Sequence, residues 1–180
     1  YQPDTMACYL FDGSRYLVTA NEGDTRDYEC YSELERIKDL DLDPLQFPDA
    51  ESLQEDENLG RLRVTTAGAD LDDDGDVDRL RSFGGRSFSI WTLDGQQVWD
   101  SGDQFERYFE DPANGYTAIF NASHDDDRFD RRSDNKGPEP EGLAIGRVGG
   151  RPYAFVGLER MGGVMAYAIG NISGCHINPA

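Results

Sequence analysis

The chain has 180 residues and a formal net charge of −19, from 36 Asp and Glu against 17 Lys and Arg. That balance excludes a nucleic-acid partner, whose phosphates need a basic surface, and favours cations, basic surfaces or glycans. Aromatic residues make up 11% and are spread along the chain, which excludes a disordered acidic tail. No apolar run approaches the ~20 residues that span a bilayer.

Met6–Phe11, then Asp12-Gly13-Ser14, then Arg15–Ala20 reads as a β-hairpin, because Asp-Gly between apolar runs is a strong turn signal. The same grammar returns at Ser87–Leu93, Asp94-Gly95 and Gln96–Trp99. It returns again at Leu143–Val148, Gly149-Gly150 and Arg151–Leu158, followed by Gly162-Gly163 and Val164–Ile169. Short strands joined by glycine turns, without helical crossovers, predict an all-β, antiparallel architecture. The length suits one domain, and residues 1–180 are read as a single domain or a fragment of one.

Two regions break the strand pattern. A short helical insertion is expected at about 31–59. Tyr31–Leu40 carries Leu34, Ile37 and Leu40 near helical spacing, and Ser32 with Glu35 fits a capping box. Asp49–Leu59 reads as a second short helix after Pro48. Residues 121–141 are polar and read as a long acidic loop, a length that is functional or disordered in compact folds.

The sharpest chemical signal is Asp70-Leu71-Asp72-Asp73-Asp74-Gly75-Asp76-Val77-Asp78. Asp70, Asp72 and Asp74 alternate ahead of a glycine, so three carboxylates can converge on one hard cation while Gly75 permits the sharp turn. Asp76 offers its backbone carbonyl, and Asp78 ligates directly or through water. Position twelve of an EF-hand reading is Arg81, not Glu, and the flanks read as strands. The prediction is a calcium loop of the DxDxDG type within a β-turn. The competing reading is a solvated acidic turn, but so many carboxylates in one turn repel strongly without a ligand.

A second acidic cluster, His124 with Asp125, Asp126, Asp127, Asp130 and Asp134, is interleaved with Arg128, Arg131 and Arg132. Arginine neutralises such carboxylates locally, so a metal is the weaker reading there. A dispersed third set holds Glu22 and Asp24, Glu139 and Glu141, and Glu159, each at a strand end beside glycine. Spacing alone makes these polar strand termini.

Cys8, Cys30 and Cys175 show no CxxC spacing, which argues against zinc. An odd count in a secreted chain implies one internal disulfide and one remaining thiol. A Cys8–Cys30 bridge fits, but the connectivity stays open, and three reduced thiols are the alternative. Asn121-Ala-Ser123 and Asn171-Ile-Ser173 are N-glycosylation sequons.

Four strings carry a family resemblance: YLVTANEGDTRDY (Tyr16–Tyr28), RSFGGRSFSIW (Arg81–Trp91), FDRRSDNKGPEPEGLAIG (Phe129–Gly146) and YAFVGLERMGGVMAY (Tyr153–Tyr167). They resemble the choice-of-anchor I domain, a family that includes mesenchyme-specific cell-surface glycoproteins of biomineralising animals. The resemblance implies a β-propeller, of which a chain this short holds only a few blades. It also implies a secreted or surface-anchored location and a role in calcium handling or matrix. It makes Glu22, Asp24, Glu139, Glu141 and Glu159 a shared acidic site. Cys175 is not a family feature and is placed to join the chain to a neighbour.

The expected function is therefore a non-enzymatic, calcium-binding structural or adhesion module of a cell surface, matrix or fibre. Its partners would be calcium, other copies of itself, and matrix proteins or glycans. The alternative is a metal-dependent phosphoesterase of the propeller type, with Lys136, Arg160 and Arg26 on phosphate. No GxSxG or HExxH motif supports that alternative. Strand edges left by an incomplete ring would invite pairing between chains.

Overall fold

A computed structural model describes residues 2–125 and 128–171, with the backbone of His176–Ile177. In chain order the strands are β1 (Thr5–Phe11), β2 (Ser14–Asn21), β3 (Asp27–Tyr28), β4 (Tyr31–Ser32), β5 (Leu34–Arg36), β6 (Arg63–Thr65), β7 (Ser87–Thr92), β8 (Gln97–Asp100), β9 (Pro140–Val148), β10 (Arg151–Leu158), β11 (Val164–Ala168) and β12 (His176–Ile177). Two short helices, α1 (Ala50–Leu53) and α2 (Gln104–Glu110), stand among them. The ladders between these strands are all antiparallel, as the hairpin grammar predicts. The chain divides into two compact units. Tyr1–Gly23, Gly84–Arg132 and Gly137–Ala180 form the first; Asp24–Phe83 and Ser133–Lys136 form the second.

The first unit holds two four-stranded sheets, ordered β1-β2-β7-β8 and β12-β11-β10-β9. Phe11 pairs with Ser14, so Asp12 and Gly13 alone make the turn. Both have positive φ, 46° and 75°, the left-handed pair that matches the twist of the flanking strands. Gly149 and Gly150, at 58° and 81°, do the same between β9 and β10.

Alternation then sorts the faces. Ala154, Val156 and Leu158 of β10 face a core shared with Tyr9, Val18, Phe88, Ile90 and Tyr167. Phe105 and Phe109, four apart on one face of α2, complete it. Phe88 and Tyr167 meet edge to face at 4.6 Å between ring centroids. Burying each such side chain is worth roughly 1.5–3 kcal/mol.

The opposite face of the second sheet is largely apolar, with Arg151 charged at its end. It presents Ala144, Gly146, Tyr153, Phe155, Gly157, Ala166 and Ala168, none of them fully buried. Tyr153 and Phe155 stack with ring centroids 6.3 Å apart. The Phe155 ring lies over Gly146, where a Cβ would meet its Cε2 at 3.2 Å.

The second unit pairs β3 with β4 and β5 with β6. Its apolar core is small: Ile37, Leu42 and Val64 are buried, backed by Leu40, Phe47, Leu62, Val77 and Leu80. Polar bonds do much of the remaining work. Gln54 Nε2 donates to the carbonyls of Ile37 at 2.9 Å and Leu40 at 2.7 Å. Asp134 accepts from Arg61 at 3.0 Å and lies 3.4 Å from Arg36.

The helix expected across Tyr31–Leu40 is not formed. The segment makes β4, β5 and a single 3-10 turn at Ile37–Asp39. Glu33 decides this. Its buried carboxylate accepts from Arg26 N, Nε and Nη2 at 2.9, 3.2 and 2.8 Å, and from Thr65 Oγ1 at 2.9 Å. Strand pairing of β5 with β6 holds Glu33 beside Thr65, and these tertiary bonds override the local helical pattern. Ser32 Oγ accepts from Leu34 N–H two residues on, a local turn and not a helix cap. The Asp49–Leu59 helix shrinks to the one turn of α1.

Candidate metal centres

The aspartate loop of the second unit is closed by Ala69, whose carbonyl accepts from Asp78 N at 3.0 Å and Arg79 N at 3.1 Å. Val77 is tied to the chain at Asp41 and Asp43 by bonds of 2.8 and 3.1 Å. Within the loop Asp73 and Gly75 take positive φ, 62° and 103°, so the glycine stands where the backbone needs it. The two oxygens of Asp70 accept from Asp73 N at 2.6 Å and Gly75 N at 3.0 Å. Asp78 accepts from Leu71 N at 2.5 Å.

These bonds gather Asp70, Asp72 and Asp78, which place ligand atoms within 4.8 Å of one another. Asp74 and Asp76 stand outside that triplet. Asp74 accepts from Asp76 N at 3.2 Å. The Oδ1 of Asp76 is buried without a hydrogen-bond partner. The charge of Asp74 raises the Asp72 carboxyl above its ordinary value. Asp76 is pushed up to about 6, first by burial and then by the charges of Asp74 and Asp43. The donors are all oxygen, the chemistry of hard cations. An orphaned carboxylate oxygen among mutually repelling neighbours is what such a cation relieves.

In the first unit, strand ends bring four of the family-implied carboxylates together. Glu22 follows β2, Glu141 lies on β9, and Glu139 and Glu159 flank β9 and β10. Glu22, Glu139 and Glu159 form one triplet within 4.8 Å; Asp4, Glu22 and Glu141 form another. Asp4 escaped the sequence reading. The signal was its place one residue before β1, where Asp4 N pairs with the Ala20 carbonyl, two residues from Glu22. Asp24 belongs to the second unit, caps its own neighbour Thr25 N at 2.8 Å, and joins neither triplet.

The two ends of this centre differ. Glu139 is fully buried, with a left-handed φ of 51°. Its Oε1 accepts from Arg132 Nε at 2.8 Å and from Arg132 Nη2; Arg160 Nε lies 3.6 Å from Oε2. Asp4 and Glu141 are exposed. Asn21, just before Glu22, is locked by Ser87, Ser89 and Thr19 at 3.0, 2.7 and 2.8 Å. Gly84 is required beside Glu22: a Cβ there would meet the Glu22 carbonyl oxygen at 2.0 Å.

The arginines assigned to phosphate are already engaged, Arg26 with Glu33 and Arg160 with Glu139 and Glu159. In the second cluster Asp125 bonds Ser123 and approaches His124 and Arg160, and the interleaved Arg132 pairs with Glu139. Asp134 belongs to the second unit, and Asp126 and Asp127 lie outside the described residues.

Cys8 and Cys30 are exposed free thiols, so the Cys8–Cys30 bridge is not formed; Cys175 lies outside the described residues. The sequon at Asn121 is closed. Asn121 is fully buried, and its Nδ2, the atom a glycan would take, donates to Glu106 at 2.7 Å. Asn171 is exposed, while Ile172 and Ser173 lie outside the described residues.

Among the described residues no helix is long and apolar enough to cross a membrane. The choice-of-anchor I domain model matches residues 1–172. The chain is 41% identical over 123 residues to Gigasin-3a of Magallana gigas, covering 65% of this chain and 42% of that protein. It is 29% identical over 206 residues to the mesenchyme-specific cell surface glycoprotein of Strongylocentrotus purpuratus, covering 95% of this chain and 26% of that one. The chain thus spans less than half the length of either relative. No solved structure matches.

Proposed function

The chain belongs to the choice-of-anchor I family, and from that premise we propose that it is an extracellular, calcium-stabilised structural module of a cell surface or matrix, acting by adhesion and not by catalysis. The observation that carries the calcium reading is the loop geometry. Asp70, Asp72 and Asp78 converge while the buried Asp76 oxygen has no hydrogen-bond partner. A unit with so small an apolar core gains most from a cation that ties its turns together. Asp4, Glu22 and Glu141 are proposed as a second, more exposed site. Glu139 is the anchor behind it, neutralised by Arg132.

The extracellular reading is supported by the cell-surface name of one relative and by the sequon at Asn171. The two antiparallel sheets on one core are read as adjacent propeller blades. Strands apolar on both faces are those buried on both faces. The outer face of the second sheet, apolar from Tyr153 to Gly157 with Arg151 at its end, therefore suits a further blade.

Isothermal titration of chelator-stripped protein with calcium tests this reading. Calcium should bind, and Asp70→Asn with Asp72→Asn should weaken the loop site at least about tenfold, since each change removes ligand charge. No heat and no binding at millimolar calcium would overturn it.

A further inference from the structure

At the far end of β9 and β10 the first unit has a cavity of about 480 Å³, within the roughly 300–1,000 Å³ of small-ligand sites. Phe11, Pro152 and Ala168 supply its apolar lining, and Arg147, Arg151 and Asn171 line it with polar groups. None of its lining residues is acidic, in a chain of net charge −19.

The two arginines are unusual here. Arg26, Arg36, Arg61, Arg86, Arg107 and Arg160 all meet carboxylates. Arg147 and Arg151 meet none among the described residues. Arg147 is instead steadied by the turn, its Nη1 donating to the Gly150 carbonyl at 2.9 Å. Its register partner across the ladder is Pro152, so the two side chains share one face of the sheet. A guanidinium carries five N–H donors in a planar fork, and one backbone bond leaves the rest for an anion.

We propose that this cavity is a saccharide subsite for a sugar bearing a carboxylate or a sulfate ester. The apolar face of the pyranose lies on Phe11 and Pro152, and the anionic group is held by Arg147, with Arg151 lining the same cavity. An apolar lining with a few placed polar groups is the usual make-up of such sites. Charge-assisted bonds from guanidinium to oxyanion supply the selectivity over neutral sugars. The site lies apart from the carboxylate triplets and needs no cation.

The test uses unglycosylated protein in excess chelator, so that bridging calcium plays no part. Calorimetry is run with a hyaluronan tetrasaccharide, a chondroitin sulfate tetrasaccharide and neutral chitotetraose. An acidic tetrasaccharide binds and chitotetraose does not. Arg147→Gln with Arg151→Gln loses at least about tenfold in affinity, the cost of one charge-assisted bond, with an unchanged melting curve. Phe11→Ala weakens binding independently. No binding at millimolar ligand, equal binding of chitotetraose, or wild-type affinity in the double arginine variant overturns the proposal.

Protein from a glycosylating host separates two sources of the same chemistry. Unchanged affinity assigns a separate saccharide. Affinity lost there and restored by Asn171→Gln assigns the chain's own glycan. Failure of this test leaves the calcium reading standing, because no calcium is present in it.

Discussion

Arg132 holds the fully buried carboxylate of Glu139 through its Nε at 2.8 Å, immediately before strand β9 leaves the acidic centre. Neutralising one member of a buried pair leaves the other charge desolvated, which costs about 3–5 kcal/mol. Glu139→Gln is therefore expected to destabilise the chain by that order in urea unfolding. Glu141→Gln, on an exposed neighbour, should change stability by less than about 0.5 kcal/mol in chelator. Equal effects of the two would show that Glu139 is not the anchor of the centre.

Glu33 gives the second unit an acid limit. Its hydrogen bonds to the Arg26 side chain and backbone hold its carboxyl at about 2, against an ordinary 4.5. The folded state thus binds this proton less readily than the unfolded chain. The stabilisation is complete above about pH 4.5 and is lost as pH falls towards 2. Stability measured by urea unfolding across that window should fall more steeply with falling pH in the wild type than in Glu33→Gln. Parallel curves would contradict the assignment.

Gly84 is expected to tolerate no side chain. Its φ is +68°, and a Cβ would lie 2.0 Å from the Glu22 carbonyl oxygen. Gly84→Ala must displace the strand end that carries Glu22, at a cost of about 1–3 kcal/mol. Weaker calcium binding at the Asp4–Glu22–Glu141 site should accompany it, read by titration of a variant whose loop site is already disabled.

Glycan mapping of protein secreted by a eukaryotic host should find Asn171 modified and Asn121 bare. The folded chain holds the Asn121 amide against Glu106. A glycan found on Asn121 would mean that the segment is fixed before that bond forms.

The hairpins were legible because their turns are decided locally. Asp12-Gly13 and Gly149-Gly150 need positive φ at both positions, and glycine and aspartate supply it. In the aspartate loop the positive φ at Gly75 was legible from its spacing, but the alternation pointed to Asp70, Asp72 and Asp74, whereas the fold gathers Asp70, Asp72 and Asp78. The strand-end carboxylates were not legible from spacing. Glu22, Glu139 and Glu159 meet only through sheet pairing, and a family resemblance was needed to group them; Asp24, which it also implies, joins neither triplet. The Tyr31–Leu40 segment misled because Leu34, Ile37 and Leu40 fit a helix. The bonds that settle it reach Glu33 from Arg26 and Thr65, out of sight of any local pattern. Helix α2 did carry a local signal, the Phe105–Phe109 pair.

Thermal unfolding with calcium and with excess chelator tests most directly whether a divalent cation sits among the loop aspartates. At a calcium concentration 100-fold above its dissociation constant, mass action stabilises the folded state by about 2.7 kcal/mol. That corresponds to a rise in Tm of roughly 5–10 °C for a chain of this size, and Asp70→Asn with Asp72→Asn should abolish most of it. Superimposable melting curves with and without calcium would contradict the account.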